Sequence, residues 1–109
     1  MKVAVIGSRG LTISNLGEYL PPDTTEIVSG GADGIDATAA AYAAEHGLIL
    51  TEFLPEYARY GRGAPFRRNR QIVDYADTVI AIWDGQSHGT RFVIDLCQKQ
   101  GKPLRIVIR

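Results

Sequence analysis

The sequence predicts a single α/β domain over residues 1–109, with a mostly parallel sheet of about five strands and helices on both faces. Three observations carry this. Short apolar runs alternate with helical patterns, as strand–helix–strand units require. The run Thr78–Trp83 is apolar and rich in β-branched residues, the signature of a strand buried on both sides. Glycine-rich turns follow apolar strands and open helices, so they gather at the carboxyl edge of the sheet.

Each element has its own signal. Lys2–Ile6 reads as the first strand and Ser14–Leu20 as a short helix stopped by Pro21-Pro22. Glu26–Ser29 reads as the second strand. Gly34–His46 reads as an alanine-rich helix with Ile35, Ala39, Tyr42, Ala43 and His46 on one side, ended by Gly47. Gly47–Leu54 is a third strand, and Pro55–Ala64 a loop rich in Arg, Tyr and Gly. Pro65 suits the first turn of a helix reaching Ala76. Asp77–Trp83 follows as a central strand. Thr90–Gln100 is a helix that turns Phe92, Val93, Leu96 and Cys97 inward and is closed by Gly101 and Pro103. Leu104–Ile108 is an edge strand, because Arg105 and Arg109 interrupt its apolar pattern.

Composition narrows the function. Twelve basic and twelve acidic residues cancel, which weighs against a general nucleic-acid binder. A single cysteine, Cys97, excludes an internal disulfide and suits the cytoplasm. No apolar stretch approaches the ~20 residues that span a membrane, and the N-terminus lacks the layout of a signal peptide. His46 and His88 are the only histidines, so no metal site is visible. Loose acidic residues leave room for Mg²⁺ only alongside a bound phosphate.

The candidate site is built on three turns: Gly7-Ser8-Arg9-Gly10, Ser29-Gly30-Gly31-Ala32-Asp33-Gly34-Ile35-Asp36 and Asp84-Gly85-Gln86-Ser87-His88-Gly89-Thr90. Such strand–glycine–helix junctions aim free N–H groups and a positive helix end at one spot, which attracts phosphate. The spacing is not the G-x-G-x-x-G dinucleotide fingerprint. Each turn also has a purely structural reading, a tight turn that requires positive φ. Asp33 and Asp36 flank a helix start, where a carboxylate caps the helix, binds a ribose hydroxyl or serves as a base; Asp33 leans to the cap. Ser87 and Thr90 fit a cap or a phosphate contact, and His88 fits an exposed loop residue better than a catalyst. Arg59, Arg62, Arg67, Arg68 and Arg70 cluster with Tyr57 and Tyr60. Asn69 shares a helical stripe with Ile72, Val73 and Ala76, with Arg68 beside it. Inward polar groups at a helix start are costly unless they bind something. Arg68 and Asn69 are therefore site candidates, and the other arginines belong to a lid or the surface.

Taken in order, these motifs, with Tyr60-Gly61-Arg62, resemble the SLOG superfamily of Rossmann-like domains. That group includes the Smf/DprA DNA-processing proteins and the Lonely-Guy phosphoribohydrolases; the small YspA-like branch is the nearest in pattern. The resemblance spans Lys2 to Val107 and implies a Rossmann-like three-layer sandwich, a nucleotide-derived ligand and a homodimer. It also carries Arg68 over to the arginine that precedes the fourth strand in the phosphoribohydrolases. Their Gly-Gly-x-Gly-Thr-x-x-Glu motif ends in a catalytic glutamate; here Gly89-Thr90 is followed by Val93 at that place. Valine neither ionises nor hydrogen-bonds, so that chemistry does not carry over intact. Gly34-Ile35-Asp36 matches the Smf pattern, with Asp33 where that pattern has arginine.

The expectation is a binding or sensing module for an AMP-, ADP-ribose- or NAD-like ligand, held by Gly7, Ser8, Arg9, Gly30, Gly31, Gly34, Arg68, Asn69, Gly85, Ser87, Gly89 and Thr90, with Asp33, Asp36 and Asp84 as its acidic members. The alternative is an enzyme that cleaves a nucleotide N-glycosidic bond, with Asp84 or Asp36 as its carboxylate. DNA handling is a third reading, motivated by the arginine cluster and weakened by the zero net charge.

Overall fold

The computed structural model describes all residues from Met1 to Arg109. Five strands form one sheet: β1 Lys2–Gly7, β2 Glu26–Ser29, β3 Ile49–Glu52, β4 Thr78–Trp83 and β5 Leu104–Ile108. Their order is β3-β2-β1-β4-β5, and every neighbouring pair is parallel. The all-parallel register sharpens the mostly parallel expectation. β5 is an edge strand as anticipated. β4 is paired on both sides, but the middle strand is β1.

Period-two alternation sorts the strands between two cores. Val3 and Val5 of β1 and Ile80 and Ile82 of β4 face helix α1, Ile35–Glu45. Ala4, Ile6, Val79 and Ala81 face α3, Ala64–Tyr75, and α4, His88–Gln100. The result is the three-layer sandwich of a Rossmann-like fold. Ala39 and Ala43 let α1 lie close over the sheet. Cys97 lies fully buried in the α3–α4 core, and burial pushes its thiol up to about 11, so it packs as an apolar group.

Three local expectations are corrected. The helix over Ser14–Leu20 shortens to a 3₁₀ turn at Leu16–Tyr19, pinned by buried Leu16. Arg105 and Arg109 lie over the Tyr19 ring, and Arg109 donates to its hydroxyl, so this segment is fastened by side chains rather than by helix propensity. The segment Pro55–Ala64 is not a plain loop: Tyr57–Tyr60 forms one helical turn, α2, and Gly61–Gly63 a 3₁₀ turn that runs into α3. His46 is not on the buried side of α1. It caps the exposed end, stacked on Tyr42 with ring centroids 3.9 Å apart.

Helix ends follow the sequence closely. Ser87 caps α4, its Oγ accepting from the Thr90 N–H at 3.5 Å, and Gly101 closes that helix in the left-handed region. α1 begins differently, after Gly34 at φ 69°, with no side-chain cap. Asp33 therefore does not cap α1; its side chain is exposed.

Gly34 joins the two turns at the carboxyl edge. A Cβ there would stand 2.2 Å from the Arg9 carbonyl oxygen and 2.7 Å from that of Ser8. Gly34→Ala combines this backbone clash with left-handed strain. We expect a loss of at least ~2 kcal/mol, read as a Tm drop of roughly 10 °C by circular dichroism. An unchanged Tm would mean that this junction is slack.

Candidate functional site

The chain leaves β1 toward β2 on one side and returns to β4 on the other. The strand order therefore reverses between β1 and β4, and a crevice opens at their carboxyl ends. It holds a cavity of about 320 Å³. Gly7, Ser8 and Arg9 enter it from the loop after β1, and Asp36 from the first turn of α1. Phe66, Arg68 and Asn69 come from α3. Asp84, Ser87, Gly89 and Thr90 come from the β4–α4 junction, over a floor of Ile6, Ile72 and Val93.

Arg68 organises this space. It is only 7% exposed and occupies the inward stripe Ala64, Arg68, Ile72 of α3. Its Nη1 donates to the Gly30 carbonyl at 2.7 Å and its Nε to Asn69 Oδ1 at 2.8 Å. Nη2 donates to no protein group and is not sealed from solvent. Burial lowers the pKa of the guanidinium and neighbouring Asp36 raises it; the group stays charged. No carboxylate forms an ion pair with it: the two salt bridges, Arg59–Glu56 and Arg91–Asp95, lie elsewhere on the surface. A buried cation with an unspent N–H₂ and no paired anion is suited to an anionic ligand. The inward stripe also reverses the sequence expectation, since Arg68 is the buried residue and Asn69 only half-buried.

Asp36 is also 7% exposed. Its Oδ2 accepts from the Ala32 N–H at 3.2 Å. Burial raises its carboxyl above the usual aspartate range; the Ala32 N–H and the positive charge of Arg68 pull it back only in part. Gly30 separates the two side chains. A Cβ on Gly30 would come within 2.5 Å of Arg68 Nη1 and 3.0 Å of Asp36 Oδ2.

Asp84 has a different environment. Its Oδ1 accepts from the N–H groups of Gln86 and Ser87, both at 2.8 Å, and these bonds hold the exposed carboxyl below its ordinary value. It shapes its own turn. Ser8 is buried and its Oγ accepts from the Asp84 N–H at 3.3 Å, so it ties the β1 and β4 loops together. The Trp83 ring N–H donates to the Ser87 carbonyl at 3.0 Å, which steadies the start of α4. The His88 and Gly89 N–H groups find no acceptor in the protein, while those of Thr90 and Arg91 return to Ser87. The open N–H pair and the helix dipole favour an anion here.

Of the sequence candidates, Gly7, Ser8, Arg9, Asp36, Arg68, Asn69, Asp84, Ser87, Gly89 and Thr90 line the crevice. Gly30, Gly31 and Asp33 line instead an adjoining hollow of about 250 Å³ that shares Arg9, Ala32 and Arg68. Gly34 and Gly85 line neither, and Gly34 packs against the β1 loop instead. Phe66, Pro65 and Ala32 also line the crevice and were not singled out from sequence as site residues. Phe66 had a signal, as a large apolar residue in the first turn of α3. No group of three His, Cys, Asp or Glu side chains converges anywhere, so no cation cage is built by protein alone.

Compared with family models, curated proteins and solved structures, the chain gives no match, so the site is read from its own geometry.

Proposed function

We propose that the protein binds a nucleotide or phosphoribosyl ligand of the AMP, ADP-ribose or NAD kind in the crevice between β1 and β4, as a sensor or binding module. The observation that carries this reading is Arg68. Its buried guanidinium leaves Nη2 without a protein partner, and the side chain lines the crevice together with Gly89 at the start of α4, whose N–H is also free. A phosphate takes charge-assisted hydrogen bonds from both, and Arg9 adds an exposed second cation at the rim. Asp36, beside Arg68 in the same crevice, is the buried carboxylate available to a ribose hydroxyl. Asp84 spends Oδ1 on its own turn and keeps only Oδ2 for a ligand.

A second reading, cleavage of the N-glycosidic bond, has one observation in its favour: burial raises the Asp36 carboxyl, the direction a proton donor needs. Val93 adds nothing to that chemistry.

Thermal shifts with AMP, ADP, ATP, ADP-ribose, NAD and ribose 5-phosphate, followed by HPLC of each sample, test both. At 100 times Kd a ligand adds roughly 2.7 kcal/mol, a Tm rise of about 10 °C or more in a domain of this size. Intact nucleotide after incubation is the expected outcome; released base would move the assignment to the hydrolase. No shift with any of the six would overturn the binding reading. Arg9→Ala is expected to keep the unliganded Tm and lose most of the shift. Arg68→Ala loses the shift too, and also lowers the unliganded Tm, because it leaves the Gly30 carbonyl without its donor.

Asp36 gives a pH signature. Its folded pKa lies above the unfolded one, so the folded state holds the proton more tightly. Stability is therefore lost as pH rises from the unfolded pKa through the folded one, and stays low above both. An asparagine side chain at this position would mimic the protonated acid at every pH. Asp36→Asn is expected to raise Tm at pH 7, with the gain vanishing toward pH 4. A gain that is independent of pH would contradict the raised carboxyl.

A further inference from the structure

Phe66 is the one residue shared by the crevice and a second cavity of about 440 Å³ on the outer surface of α3 and α4. Three aromatic rings line that second cavity: Tyr60, Phe66 and Phe92. Phe66 stands edge-on to Phe92, with centroids 5.0 Å apart, yet remains 48% exposed. The Arg67 guanidinium lies over the Tyr60 ring at 4.4 Å. Gln71 and Asp74 stand at the rim, offering amide and carboxylate hydrogen-bonding groups. A half-exposed aromatic ring with charged and amide side chains around it suits a planar heteroaromatic ring, which brings both a π-face and a polar edge.

The hollow on the other side of Arg68 offers no such surface. Its lining contains Leu54, Pro55 and glycines, and no aromatic side chain.

We propose that the Phe66 cavity is the base subsite of the ligand whose phosphate occupies the crevice. The inference rests on the nucleotide reading above and adds which way the ligand points. The phosphate lies against Arg68 and the start of α4, and the base stacks on the exposed part of the Phe66 ring; the Tyr60 ring carries the Arg59 and Arg67 guanidinium groups instead. Gln71 and Asp74 meet the polar edge of the base. The ligand class is then a nucleoside monophosphate or a larger molecule containing one, rather than a sugar phosphate alone.

The test is isothermal titration of the full chain with AMP, UMP and ribose 5-phosphate, on wild type, Phe66→Ala, Phe66→Tyr and Leu54→Ala. Stacking on one aromatic ring is worth about a factor of ten in affinity. The wild type is expected to bind AMP about tenfold more tightly than ribose 5-phosphate. Phe66→Ala lowers AMP affinity about tenfold and so removes that preference; Phe66→Tyr retains it, as does Leu54→Ala. Equal affinity of wild type for AMP and ribose 5-phosphate would overturn the base subsite while leaving the phosphate site standing. So would loss of the preference in Leu54→Ala but not in Phe66→Ala. Binding of neither AMP, UMP nor ribose 5-phosphate would overturn both the subsite and the reading on which it rests.

Discussion

The carboxyl edge of the sheet depends on one buried cation. Arg68 reaches from α3 to the backbone at the end of β2, and its bond to the Gly30 carbonyl ties the α3 layer to the turn that leads into α1. Burying a guanidinium is expensive unless its donors are used. Two are used within the protein, and the group is held by a carbonyl and an amide oxygen rather than by a carboxylate. Asp36 lies near enough to offset part of the charge, but it forms no ion pair with the guanidinium, which stays unpaired at the wall of the crevice. Gly30 follows from the same constraint: any side chain at that position would displace Arg68 and press on Asp36.

The two carboxylates at this edge show how local surroundings set different roles. Asp36 and Asp84 both belong to glycine turns and are equivalent in sequence terms. In the fold Asp36 is buried, burial outweighs the backbone hydrogen bonds it accepts, and its carboxyl moves up. Asp84 is exposed with two backbone donors, and its carboxyl moves down. Desolvation dominates the first and hydrogen bonding the second.

The strands, their parallel pairing and the two long helices after Ala64 were legible because each carries a strong local signal. β4 is a run rich in β-branched residues, Ser87 is a cap, and Gly101 and Pro103 end a helix. The segments that deviated are those that tertiary contacts decide. The Tyr19 turn is fastened by Arg105 and Arg109, some 90 residues along the chain in the case of the Arg109 bond to the Tyr19 hydroxyl. Periodicity places Asn69 on the buried stripe of α3 and Arg68 beside it, and the structure exchanges the two. That choice is made by the Gly30 carbonyl, which is 38 residues away. Phe66 was missed for a related reason, since no pattern within α3 shows that two cavities meet at its ring.

The glycine turns that first suggest a phosphate cradle divide into two kinds. At Gly7 an added Cβ would meet the Ile82 carbonyl oxygen at 2.4 Å, and at Gly34 it would meet that of Arg9 at 2.2 Å. These residues let protein backbone approach protein backbone, and they bring the β1 loop against β4 and α1. At Gly89 an added Cβ would meet nothing within 4 Å, and the surrounding N–H groups are free. Gly10 and Gly85 are open in the same way, but of the three only Gly89 lines the crevice. The glycine-rich run from Gly30 to Gly34 is the more conspicuous in sequence, yet it serves to seat Arg68 and to start α1. The less conspicuous Ser87–Thr90 junction, facing Arg68 across the same cavity, holds the open donors. The proposed reading therefore puts its anion toward α4, between a helix start and a buried arginine, rather than in the turn that motif reading brings forward.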